Sequence, residues 1–350
     1  MKLNLLSFIP CNRGRIMAAG GGNIVRFTYT GAEGERIPDE ATHITVAEDC
    51  TFVRAEAFSR HCNIVEVICH AGVKRIEEYA FFWCDTLRRV IMPGVKIVER
   101  GAFCYCEALE DVECDKLEKI GEGAFTDCES LESINVPSAW IVERGAFAGC
   151  KALVVVKFGN MLERIEKEVF SYCESLERIT IPLKDGLFTT DDIFAGGESL
   201  NHLYLVDGEL HEIIAALQFE EWRNDICEKI DTINRMLPNA CAGRWGWDDE
   251  YHGGKARLIR MWIRSVLGKI IHYQAEHQRV LDGGIASALE FALPREIAMN
   301  NVLPFLLLPH TFEGEYDVED LLFIYEEEDD DESDESRHRC CCLRKLLPFR

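Results

Sequence analysis

The side chains best equipped for chemistry in this chain are cysteines. Cys84, Cys106, Cys128, Cys150 and Cys173 follow one another at intervals of 22, 22, 22 and 23 residues. Thiols in such a row suit either bridges between successive turns of chain or a chain of metal ions. A tetrahedral zinc site is closed by paired ligands such as Cys-x-x-Cys, whereas here one thiol falls in each interval. Cys104 and Cys106 are only two apart and form no such pair. If the turns stack in register, the thiols point the same way and their Cβ atoms stay about 4.8 Å apart. A disulfide prefers about 3.8 Å. Five is also odd. The row is therefore expected to be a ladder of buried, reduced, structural cysteines.

The remaining reactive residues suggest no catalyst. His272 and His277 are five apart and share a helix face poorly. The glycines 20–22 are consecutive, unlike a spaced dinucleotide fingerprint, and neither His-Glu-x-x-His nor Gly-x-Ser-x-Gly occurs. Asp248, Asp249, Glu250 and His252 form a polar cluster that reads as a solvated turn. No catalytic residue, cofactor, metal or small-molecule substrate is expected.

The elements that hold the thiols are repeats. Ala-Phe occurs at Ala57-Phe58, Ala80-Phe81, Ala102-Phe103, Ala124-Phe125 and Ala146-Phe147, and Val169-Phe170 and Ile193-Phe194 continue the series. Three residues after each phenylalanine stands His61, one of the five cysteines, or Gly197. Three further on comes Ile64, Leu87, Leu109, Leu131, Leu153, Leu176 or Leu200, and three beyond that Val67, Val90, Val112, Ile134, Val156, Ile179 or Leu203. A self-similar period of this length is the mark of a solenoid, because one unit cannot bury its own apolar face and neighbours must stack. In Arg89-Val90-Ile91-Met92, alternation puts Val90 and Met92 inside, which predicts a short strand in each repeat. Pro93, Pro137 and Pro182 stop such strands.

These residues resemble the BspA-type leucine-rich repeats, with a consensus close to Ala-Phe-x-x-Cys-x-x-Leu-x-x-Ile-x-Ile-Pro followed by Val-x-x-Ile-Gly. The fragment Ile120-Gly121-Glu122-Gly123-Ala124-Phe125-Thr126-Asp127-Cys128-Glu129-Ser130-Leu131 follows that pattern closely. The resemblance covers residues 39–207. It implies an α/β repeat solenoid of about seven repeats, in a family often found as cell-surface proteins that bind host or matrix proteins. Ala288-Leu289-Glu290-Phe291-Ala292-Leu293-Pro294, together with the acidic tail, resembles diatom-type members.

In such a solenoid the outward strand side chains form one continuous surface for a partner. Alternation assigns them as Glu66 and Ile68, Arg89 and Ile91, Asp111 and Glu113, Ser133 and Asn135, Val155 and Lys157, Arg178 and Thr180, and His202 and Tyr204. Apolar residues among charges of both signs suit protein recognition better than bond-making.

After Leu205 the period changes. Trp222, Ile226, Ile230, Ile233 and Leu237 mark one helical stripe, ended by Pro238, and Ile259, Ile263, Val266, Ile270 and Tyr273 mark a second. Arg257, Arg260 and Arg264 share one face of that second helix. The expected organisation is an N-terminal segment, 1–38, partly flexible; the solenoid, 39–207; a helical cap, 208–310; and a disordered acidic tail, 311–350, ending in a Cys/basic cluster. The tail's acidic run spans residues 313–335, and Cys340, Cys341 and Cys342 beside Arg337 and Arg339 are candidates for acylation.

Among 350 residues, 61 acids against 38 bases give a net charge of −23, which opposes nucleic-acid binding. With 47% hydrophobic residues the chain can fill a core, and no apolar run is long enough to span a bilayer. Residues 1–10 lack the clean apolar core and cleavage site of a secretory signal, and Met17 offers a second start. A cytoplasmic, non-enzymatic scaffold for a protein partner is expected, with little membrane contact. An exported or membrane-tethered adhesion protein is the alternative.

Overall fold

The computed structural model describes residues 24–206, 214–217, 219–240 and 254–280. Gly20–Gly22, the 248–252 cluster, the 288–294 segment, the acidic run and Cys340–Cys342 lie outside them. The chain forms two compact units, residues 1–206 with 242–258, and residues 207–241 with 259–350.

The first unit is a parallel-strand solenoid of about seven turns. One wall carries β1 (Arg26–Tyr29), β2 (His43–Val46), β4 (Glu66–Ile68), β6 (Arg89–Ile91) and β8 (Asp111–Glu113), then β10 (Ser133–Val136), β12 (Val155–Phe158), β14 (Arg178–Ile181) and β15 (His202–Leu205). A second wall is built of two-residue strands: β3 (Phe52–Val53), β5 (Arg75–Ile76), β7 (Ile97–Val98), β9 (Lys119–Ile120), β11 (Ile141–Val142) and β13 (Arg164–Ile165). All neighbours pair in parallel, as turns wound in one sense must.

The Ala-Phe corner closes each coil. Phe81 N–H donates to Ala102 O at 2.7 Å, Phe103 to Ala124 at 2.8 Å and Phe125 to Ala146 at 2.8 Å. The phenylalanine rings stack between 4.8 Å, for Phe58 on Phe81, and 5.8 Å, for Phe147 on Phe170. Each is fully buried. Burial of such a ring on both faces stabilises a coil by about 2–3 kcal/mol, and only neighbouring coils can supply it. Glycine serves where a neighbour needs room: at Gly101, φ +59°, an added Cβ would lie 2.5 Å from the Tyr79 ring.

Three features depart from the sequence expectation. The wall begins inside the segment set apart as 1–38, because β1 pairs with β2 in register Arg26↔His43. Tyr29 substitutes there for the missing phenylalanine, its ring 5.0 Å from Phe58 and its hydroxyl accepting from Arg54 N–H at 3.2 Å. The first wall is also two sheets, not one: the hydrogen-bonded ladder ends at β8 and restarts at β10. At that break Val112 is only half-buried, while Val90 and Ile134 are buried.

The third feature is Lys255, which belongs to the solenoid unit and is fully buried. In inner coils the carbonyl four residues after the phenylalanine accepts a bond from the next coil, as Glu107 O does from Ser130 N–H at 3.1 Å. The carbonyl six after it does likewise at Ile64, which accepts from Thr86 Oγ1 at 2.9 Å. The corresponding carbonyls after Phe194 are Glu198 O and Leu200 O, and Lys255 Nζ donates to both, at 2.6 Å to Leu200. One ammonium thus satisfies two carbonyls that an eighth coil would otherwise take.

In the second unit, α1 (Glu220–Met236) and, from Ile259 onward, α2 (Lys255–Val280) carry the predicted stripes. Ile226, Ile233, Leu237, Ile259, Ile263, Val266 and Ile270 are buried. Trp222 stacks on Tyr273 at 5.1 Å, and Trp262 Nε1–H donates to Lys229 O at 3.0 Å. Asp225 accepts from Lys269 and, at 2.6 Å, from Tyr273. Those two bonds hold the Asp225 carboxyl below its ordinary value and push Tyr273 up to about 12. Among the described residues no helix is long and apolar enough to cross a membrane.

Candidate protein-interaction surface

Because strand side chains alternate, residues in register stand in two parallel rows on the outer side of the first wall. In the N-terminal sheet the rows are Glu66, Arg89, Asp111 and Ile68, Ile91, Glu113. In the C-terminal sheet they are Ser133, Val155, Arg178, His202 and Asn135, Lys157, Thr180, Tyr204. Every predicted surface residue therefore lies in one of the two rows, divided by the break between β8 and β10. Ile68 is 37% exposed and Tyr204 48%; Ile91 and Val155 are half-buried.

The two sheets differ in electrostatics. Arg89 joins Asp111 at 3.1 Å and Glu113 at 2.5 Å, and His43 approaches Glu66 at 4.0 Å. The hydrogen bond to Glu113, with the charges of both acids, raises the already high Arg89 pKa. The one arginine of the N-terminal rows is thus engaged by two of their three acids, which leaves that sheet net acidic. On the C-terminal sheet Lys157 and Arg178 are exposed and make no ion pair among the described residues, and the outward rows hold no acid. The second wall is self-paired again, with Arg75–Glu99 at 3.2 Å and Lys119–Glu143 at 2.5 Å.

The five cysteines line the core side of the Ala-Phe corner. Each is buried and free, and each Sγ–H donates to the carbonyl of the phenylalanine in the preceding coil: Cys84 to Phe58 at 3.0 Å, Cys106 to Phe81 at 3.1 Å, Cys128 to Phe103 at 3.2 Å, Cys150 to Phe125 and Cys173 to Phe147 at 3.1 Å. Burial pushes the Cys84 thiol up to about 12 and raises the other four well above the ordinary thiol value. Such thiols are poor nucleophiles at neutral pH. Ten described cysteines are free, and Cys62 is disulfide-bonded.

Sequence reasoning missed a cluster on the turn side. Phe82 meets Tyr79, Trp83 and Tyr105 edge-on at 5.7, 6.0 and 5.8 Å. Trp83 lies 5.6 Å from Tyr105. Trp83 and Tyr105 both occupy the position two after the phenylalanine, a coincidence visible in the repeat alignment. Both have left-handed φ, near +60°, where other coils place Gly149 and Gly196. The described cavity is an open depression along α1, lined by Asn224, Cys227, Glu228, Asp231 and Arg235.

Comparison with known proteins places this architecture. Six copies of the BspA type Leucine rich repeat region match residues 39–144 and 118–221. The search of curated proteins found no match. Among solved structures, the T. pallidum leucine-rich repeat protein is 19% identical at a TM-score of 0.37, covering 57% of this chain and 86% of its own. A leucine-rich repeat protein from Eubacterium ventriosum is 22% identical at 0.38, over 47% of this chain and 48% of its own. Human 5T4, a trophoblast glycoprotein, is 11% identical at 0.30, over 53% and 78%. The repeat matches together span more than half of the 350 residues, in the same region that forms the stacked coils and the phenylalanine column. By that match the chain belongs to the BspA-type leucine-rich repeat proteins.

Proposed function

We propose that this chain is a non-enzymatic interaction scaffold that binds a protein partner through the outer face of its first wall. The supporting observation is the set Ile68, Ile91, Val155 and Tyr204, apolar side chains accessible among charges on a backbone rigidly laddered coil to coil. Photo-crosslinking tests this reading. A benzophenone side chain placed at Ile68, Ile91, Val155 or Tyr204 should capture a discrete partner in an extract of the source cell. The same group at Arg75 or Arg164 on the second wall should not. Equal capture from both walls, or none from the first, would sink the proposal.

The compartment follows separately. The ten free cysteines suit a cytoplasmic protein, whereas the disulfide at Cys62 favours the second reading, an exported or membrane-tethered adhesion protein. Intact mass after alkylation without reduction decides between them. Full alkylation, or acyl mass on Cys340–Cys342, supports the cytoplasmic side, while a blocked Cys62 supports export.

A further inference from the structure

The outer face is chemically two surfaces, and the second has a definite sign. On the N-terminal sheet Arg89 is held between Asp111 and Glu113, so a partner must first displace those carboxylates to use it. Past the break at β8, Lys157 and Arg178 stand on adjacent strands, exposed and unbridged. Their in-register neighbours include no acid: Val155 and His202 beside Arg178, Asn135 and Thr180 beside Lys157. Tyr204 completes the patch, its ring stacked 6.1 Å from His202. Glu132 and Glu177 precede the strands at one edge and do not bridge to either cation. Unpaired cations flanked by an aliphatic and an aromatic surface are unusual in a chain of net charge −23.

We infer that the β12–β14–β15 face takes an acidic segment of a protein partner, two carboxylates at alternate positions on Lys157 and Arg178 and a further apolar side chain, also at an alternate position, against Val155 or Tyr204. The inference rests on the scaffold reading and names the chemistry of the partner. Two cations diagonal across neighbouring strands are about 7–8 Å apart, close to the i to i+2 repeat of an extended segment. Arg178 can grip a carboxylate with two parallel bonds, and Lys157 acts as a point charge. Nucleic acid fits less well. A phosphate track needs a longer basic stripe than two cations, and the whole-molecule charge opposes it.

The test uses the full chain and a fluorescein-labelled peptide repeating Asp-Gly-Glu-Gly-Phe-Gly, which presents both acids and the phenylalanine on one face, followed by anisotropy. A peptide repeating Lys-Gly-Lys-Gly-Phe-Gly is the control. The acidic peptide should bind and the basic one should not. Lys157→Glu with Arg178→Glu should weaken binding about tenfold or more, the size expected for losing about 1.4 kcal/mol. Lys157→Gln with Arg178→Gln should weaken it less, and Arg75→Gln on the second wall should leave it unchanged. Melting curves confirm that the exposed variants stay folded. No binding by the wild type, equal binding of both peptides, or insensitivity to the Glu pair would overturn the inference. So would a single-stranded oligonucleotide that binds more tightly through the same two residues. Crosslinking separates this failure from failure of the scaffold reading. Capture from Ile68 and Ile91 without capture from Val155 and Tyr204 keeps the scaffold and removes the acidic-segment site.

Discussion

A cysteine in each ladder position does a job that its neighbours cannot. The thiol is small enough for the space beneath the phenylalanine column, and its S–H reaches the carbonyl one coil back. Replacing Cys128 by Ala keeps the size class but removes the second donor to Phe103 O, which retains Cys106 N–H at 3.2 Å, and should cost about 0.5–1.5 kcal/mol. Cys128→Ser, which retains a donor, should cost less, as urea denaturation would record. The raised pKa values carry a pH consequence with a definite sign. For Cys84 the unfolded thiol ionises near 9.0, while the folded one waits until about 12. Between those values the unfolded state has shed a proton that the native state keeps, so stability present below pH 9 is lost as pH rises. Five such thiols should make alkaline unfolding begin near pH 9 in a melting-temperature series. In the native protein a thiol reagent at neutral pH should find exposed Cys227 at once and reach the ladder only after unfolding.

At the scale of elements, stability resides in contacts between coils rather than within them. Phe125 is stacked on both sides, 5.2 Å from Phe103 and 5.4 Å from Phe147. Truncating Phe125 to Ala leaves a cavity that the hydrogen-bonded corners cannot collapse, and should cost about 3–5 kcal/mol. The end of the stack is a different problem, since its carbonyls lack a next coil. Lys255→Met preserves the apolar stem but removes the donor to Glu198 O and Leu200 O. A loss of about 1–3 kcal/mol is expected if one carbonyl remains dry, read as a lower melting temperature. If Lys255→Met melted with wild type, the buried ammonium would not be what finishes the solenoid.

For the whole molecule, interactions reach only the nearest coil, so the solenoid should tolerate loss of a complete period. Deleting residues 125–146 joins Ala124 to Phe147 and restores the Ala-Phe corner. The shortened chain should still fold, with a lower melting temperature and a smaller denaturant slope. Deleting residues 125–140 instead removes part of a period and should abolish cooperative unfolding. The face is likewise divided at this scale: acids outnumber the single arginine before the break at β8, and two cations stand open after it, which is why the acidic-segment test separates the two halves.

Much of this was open to reading from the chain alone. The 22-residue interval dictates stacking, because no single repeat can bury Phe, Cys and Leu at once, and alternation about Val90 or Ile179 assigns inside and outside without coordinates. Helical stripes such as Trp222 to Leu237 follow from the 3.6-residue turn in the same way. The second wall was not legible, since two-residue strands carry too little pattern. Nor was β1, whose coil lacks the Ala-Phe pair and uses Tyr29. The sheet break, the pairing of Arg89 with two acids, the isolation of Lys157 and Arg178, and the double bond from Lys255 required tertiary structure. Each depends on which side chains meet across coils or from residues 55 and 57 positions away, and a local period carries no information about distance between such partners.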